Sequence, residues 1–144
     1  MDEIVELCVE NNILLIEDTC ESMGCEYKGQ KLGTFGMMSS FSTYFGHHIS
    51  TIEGGFISTN DSELYDLMRM KRSHGLAREA SPETYKKYQE LYPDIIPTFL
   101  FVTDGYNFRN DELSAVLGLE QIKNLDKFID IRNENYRNYY KLIK

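Results

Sequence analysis

Ile13-Leu14-Leu15-Ile16, an unbroken apolar run leading straight into Glu17-Asp18, constrains this chain more than any other feature. A run of this kind suits a parallel strand buried on both faces. Acids at its carboxyl end sit where open α/β sheets collect ligands. Upstream, Ile4, Val5, Leu7 and Cys8 give Asp2 to Asn11 the spacing of a short helix, broken by Asn11-Asn12. Downstream, Lys28-Gly29-Gln30-Lys31 suggests a small hairpin, and Ser39–Tyr44 and Gly55–Thr59 suggest two further short strands. Asn60-Asp61-Ser62 can cap a helix over about Glu63 to Ser73. The stretch from Gly75 to Thr103 holds all three prolines and predicts loops with one short helix near Pro82 to Leu91. Asn110 or Asp111 can cap a helix carrying Leu113, Val116, Leu117, Leu119 and Ile122, and a last helix follows Asn124. Strands and helices alternate, which predicts a layered α/β fold, a mainly parallel sheet flanked by helices.

The 144 residues suffice for one domain with a core. A net charge of −8 argues against a nucleic-acid binder, because phosphate backbones need clustered Lys and Arg. No apolar run is long enough to span a membrane, and the first residues lack a signal-peptide pattern, so a cytoplasmic location is expected. Cys8, Cys20 and Cys25 are odd in number and lack C-x-x-C spacing, which reads as reduced thiols and not a metal site.

Several residues carry chemistry by type and place. Asp18, at a strand end, can hydrogen-bond a ligand or cap a helix over Thr19–Met23. Glu21, three residues on, reads equally as a ligand contact or a first-turn carboxylate. His47 falls in a turn between a strand and Glu53-Gly54-Gly55, and imidazole is the side chain that exchanges protons near neutral pH. His48 is expected to point away and to pack or orient the loop. Ser42 reads as a strand-edge serine, and Asn107 as a loop residue capping a turn. Arg109 is structural or substrate-facing. Arg69, Lys71, Arg72, His74 and Arg78 make a basic patch that reads first as a solvated helix face.

Together, Ile16-Glu17-Asp18, the stretch Ser42 to Gly55 and Gly105-Tyr106-Asn107-Phe108-Arg109 resemble the DegT/DnrJ/EryC1/StrS family. Its members are pyridoxal-phosphate (PLP) enzymes acting on nucleotide-linked keto-sugars. Most relatives carry, at the place of His47, a lysine that holds the cofactor covalently. Imidazole has no primary amine, so the resemblance implies PLP or pyridoxamine phosphate (PMP) bound non-covalently, with His47 as base or acid. That pattern resembles the sugar 3-dehydratase branch, which removes a C3 hydroxyl from a nucleotide-linked 4-keto-6-deoxyhexose in deoxysugar biosynthesis. The resemblance further implies that Asp18 meets the cofactor's pyridine nitrogen, Glu21 lies near the ring, Ser42 binds the phosphate, and Asn107 reaches the phosphate in the partner subunit of a homodimer with shared active sites. The chain has no cysteine after Cys25, which disfavours the iron–sulfur type and favours the type that regenerates PMP from glutamate.

Some positions depart from the family pattern: Phe45-Gly46 stands where proline is common, and Met37-Met38 replaces an Asp-apolar pair. The chain is expected to be an excerpt. Residues 1–124 would form the second half of the cofactor-binding large domain, and 125–144 a helix leading toward a small domain. Two alternatives stay open. One is an aminotransferase using a lysine from elsewhere, with Lys28 and Lys31 at the wrong register. The other is a truncated, non-catalytic homologue.

Overall fold

A computed structural model describes residues 1–144. In chain order the elements are α1 (Asp2–Glu10), β1 (Ile16–Asp18), β2 (Glu26–Tyr27), β3 (Gln30–Lys31), β4 (Met38–Ser42), β5 (Gly55–Thr59), α2 (Ser62–Arg72), α3 (Pro82–Leu91), α4 (Glu112–Gln121) and α5 (Leu125–Ile143). They form two compact units, one of residues Met1–Ser58 with Asn110–Lys144, the other of Thr59–Arg109.

The first unit is organised on a sheet of order β1-β4-β5. β1 and β4 are parallel, with Ile16, Glu17 and Asp18 opposite Met38, Ser39 and Ser40. The strand is shorter and less buried than its apolar run predicts. Ile13 donates its N–H back to Cys8 O (2.8 Å), closing the turn after α1, Leu15 O accepts Met37 N–H (2.9 Å), and the ladder with β4 runs from Ile16. Ile13, Leu14 and Ile16 are 56%, 70% and 57% exposed, while Glu17 is the strand's buried residue. β1 has β4 on one edge alone, and its pleat sends successive side chains to opposite faces.

Glu17 is buried for a definite reason. One carboxylate oxygen accepts the amides of Phe35 and Gly36 (both 2.7 Å) and the other accepts that of Gly33 (2.6 Å). Such bonds to a charged acceptor offset its desolvation. They fix the turn that delivers the chain into β4, and Ser39 Oγ donates to Gly33 O (2.8 Å) beside them. A side chain at Gly36 would put Cβ 2.5 Å from Leu15 O, so glycine is required at this crossing. The hairpin β2–β3 turns at Lys28 (φ 51°) and Gly29 (φ 82°), the paired positive φ of a two-residue hairpin turn.

The helices follow their caps. Asp111 accepts Ser114 N–H (2.7 Å) and starts α4. Neither α4 nor α5 buries a residue, and Leu113, Val116, Leu119 and Ile131 stand exposed, as do Phe56 and Ile57 on β5.

In the second unit, Asp61 caps α2 through Leu64 N–H (2.9 Å) and Ser81 caps α3, with Pro82 at its first position. Asp66, buried on α2, accepts Ser81 N and Oγ (2.7 Å each) and so ties α3 to α2. Burial opposes ionisation of Asp66, but hydrogen bonds from Thr84 and Ser81 outweigh it and hold its carboxyl below the ordinary range.

Glu17→Ala would strand three inward-facing amides and is expected to destabilise the protein by about 3 kcal/mol, read as a lower denaturant midpoint. An unchanged midpoint would mean that the Gly33–Gly36 turn is held by backbone pairing alone.

Candidate active site

β1 delivers Asp18 to the open end of the sheet, where its side chain is exposed. Its Oδ1 accepts from Cys20 N–H and from Ser40 Oγ, each at 3.2 Å. Contacts from Cys20, side chain first and then backbone, together with Ser40 and the nearby His47, hold the Asp18 carboxyl below the usual carboxylate range. It is therefore a standing anion. The chain does not continue as a helix. Thr19, almost fully buried, donates both N–H (3.0 Å) and Oγ1 (2.6 Å) to Ser40 O, and Ser22 N–H closes a turn onto Thr19 O (3.0 Å).

That turn carries Glu21 toward His47. Glu21 Oε1 lies 2.8 Å from His47 Nε2, with the carboxylate side chain 81% exposed and the imidazole 19%. The contact was not legible in the sequence, which placed Glu21 near a cofactor ring. His47 sits in the loop between Thr43 and Thr51, its N–H on Tyr44 O (3.0 Å) and its ring edge-on to Tyr44 (5.6 Å, 77°). His47 Nδ1 is enclosed and has no hydrogen-bond partner. Nε2, which meets the exposed Glu21 carboxylate, is thus the nitrogen with a path to solvent.

Ser42, the last residue of β4, accepts Tyr44 N–H at 3.2 Å, leaving its own proton available for donation. Asp18, Glu21, Ser42 and His47 all belong to the first unit. Asn107 belongs to the second, in a bridge with Ser73, and its Oδ1 accepts Arg109 Nε (3.2 Å). This gives Arg109 a structural partner. The basic patch is dispersed: Lys71 pairs with Asp104 (2.7 Å), Arg78 with Glu79 (3.8 Å), and Arg69 lies against the Tyr65 ring (5.7 Å). Lys28 pairs with Asp2, and Lys31 with Glu26 (2.7 Å), both on the hairpin.

Sequence reasoning missed Ser40 and Cys20 as partners of Asp18. The parallel register that sets Ser40 opposite Asp18 was the signal available.

His48 is half-buried, and burial, then Arg132 and His47, push its imidazole below the ordinary range against an opposing pull from Glu21. On acidification the unfolded chain therefore protonates first. The contribution of His48 to stability is complete above pH 6.5, its unfolded value, and is lost as pH falls through the lower folded value. Replacing His48 with Gln is expected to flatten the loss of stability as pH falls below 6.5. An unchanged slope would remove His48 from the acid response.

A parallel strand pair with an ionised carboxylate at its carboxyl end has the layout at which open α/β folds bind ligands. The chain belongs to the DegT/DnrJ/EryC1/StrS aminotransferase family, whose model matches residues 1–144. It is 40% identical over 134 residues to the GDP-4-keto-6-deoxy-D-mannose 3-dehydratase of Yersinia pseudotuberculosis, covering 93% of this chain and 34% of that protein. It is 37% identical to the GDP-perosamine synthase of Escherichia coli O157:H7, covering 93% of this chain and 32% of that protein. A crystal structure of GDP-4-keto-6-deoxymannose-3-dehydratase with a trapped PLP–glutamate geminal diamine superposes with a TM-score of 0.79 at 36% identity, covering 94% of this chain and 35% of that one. The chain thus spans about a third of the length of these relatives.

Proposed function

We propose that the protein works as a PLP/PMP-dependent 3-dehydratase on a nucleotide-linked 4-keto-6-deoxyhexose, with glutamate as amino donor. One observation carries this reading: His47, with Nε2 against the exposed Glu21 carboxylate, lies near the anionic Asp18, and the two nearest lysines in sequence are paired elsewhere.

The residues present fit such a cofactor. Asp18 is exposed and ionised, as a partner for a protonated pyridine nitrogen must be, and the Ser42 hydroxyl has a proton for a phosphate oxygen. When bound, PLP supplies an electron sink that lets a bond beside the sugar carbonyl break. Asp18 keeps the pyridine nitrogen charged. His47 takes up and returns protons at Nε2, because Nδ1 is enclosed, and one imidazole can serve as base and then as acid. The exposed Glu21 carboxylate joins that nitrogen to solvent.

In this reading Asn107 serves the phosphate held by a partner subunit, so the working form is a homodimer, and the enzyme is cytoplasmic. Residues 1–124 are the second half of a cofactor-binding domain and 125–144 lead to a smaller one. The apolar residues exposed on β5 and α4 then pack against the rest of the enzyme. The likeness to a perosamine synthase supports a second reading, amino transfer to the keto-sugar. Mass spectrometry of the product separates them, since transfer retains the C3 hydroxyl.

Borohydride treatment of the native protein with PLP is expected to yield no cofactor-modified peptide, and recovery of one on any lysine would overturn the role of His47. His47→Asn is expected to lower dehydration by at least about 100-fold with PMP affinity nearly intact. A matching loss of PMP binding would mark His47 as structural.

A further inference from the structure

The loop that carries His47 is closed at its base by a buried pair of hydroxyls. Thr43 Oγ1 and Thr51 Oγ1 lie 2.7 Å apart, and both residues are only 5% exposed. Backbone bonds flank the pair: Thr51 N–H to Thr43 O (2.8 Å) and Thr43 N–H to Gly54 O (2.9 Å). Thr51 Oγ1 also lies 3.1 Å from Glu53 O. Two hydroxyls share two protons, so the pair can satisfy itself and still donate one proton to that carbonyl.

Gly54 completes the closure. A Cβ there would lie 2.6 Å from Thr51 Oγ1, 2.8 Å from Thr43 Oγ1 and 2.9 Å from Asn110 Nδ2. On its far side the Thr51 methyl faces α4, where a Cβ on Gly118 would lie 3.1 Å from Thr51 Cγ2. Within the loop, Ile49 is buried. The seven residues between the threonines have no helix or strand to hold them, so the course of the loop depends on this neck and on Ile49, and within it Tyr44 and Glu21 meet the imidazole.

We propose that Thr43 and Thr51 are positioning residues for His47: their hydroxyl pair closes the loop and thereby sets where Nε2 points. This rests on the role assigned above to His47, and the experiment keeps the two apart. Thr51→Val preserves shape and removes the hydroxyl, and Thr51→Ser preserves the hydroxyl. In the native protein with PMP and a nucleotide keto-sugar, Thr51→Val is expected to lower kcat about 10- to 100-fold, the cost of a displaced catalytic group, with KM little changed. Thr51→Ser keeps the wild-type rate. Without cofactor, the His47 imidazole NMR signals are single in the wild type and Thr51→Ser, and broadened or doubled in Thr51→Val.

Wild-type kcat and unchanged signals in Thr51→Val would overturn the proposal, as would a Thr51→Ser variant as slow as Thr51→Val, which would point to the methyl contact with α4. If Thr51→Val does not fold, Thr43→Val removes the other half of the pair, and the same readouts apply. An active His47→Asn enzyme would overturn the underlying assignment of His47 instead, whatever the threonine variants do.

Discussion

Three backbone amides converge on the Glu17 carboxylate, and the arrangement of the first unit follows from that convergence. A buried carboxylate on a two-sided strand would be a severe cost if left unpaired. Paired with Gly33, Phe35 and Gly36, it becomes the fixture that brings the chain back alongside β1. The register this sets places Ser40 opposite Asp18. Ser40 then does two things: its hydroxyl supports the Asp18 anion, and its carbonyl accepts twice from Thr19. The second contact bends the chain into the turn that takes Glu21 to His47. Adjacent acids in one short motif thus have opposite fates, one turned inward to hold the fold and one outward to the surface.

Electrostatics divide the two neighbouring histidines in the same way. Burial and Arg132 push His48 toward the neutral form, while His47 Nε2 lies against the Glu21 carboxylate. Asp18 supplies a fixed negative charge beside them. A site that must hold a cationic ring and move a proton nearby needs that separation of roles.

Local signals in the sequence were reliable wherever the structure is local. Asp61 and Asp111 each cap the helix that their position predicts, a short helix forms at Pro82–Leu91 as expected, and Lys28-Gly29 makes the expected hairpin turn. The apolar run at Ile13 misled, because hydrophobicity predicts burial but not which neighbours are at hand, and the ladder with β4 runs from Ile16. Contacts between distant residues were illegible. Nothing in composition shows that Glu17 would meet amides sixteen to nineteen residues away, or that Glu21 would reach His47. Hydroxyl residues are frequent between Ser39 and Thr51, so the partnership of Thr43 with Thr51 became visible only when the loop was closed in three dimensions.

The account turns on an imidazole working next to a fixed carboxylate without a covalent hold on the cofactor. The most direct measurement is a crystal structure of the native protein with pyridoxamine phosphate. The expected complex has the pyridine nitrogen on Asp18, the phosphate at Ser42 and the His47 imidazole on the side of the aminomethyl carbon. Cofactor density continuous with a lysine side chain, or lying away from Asp18, would contradict it.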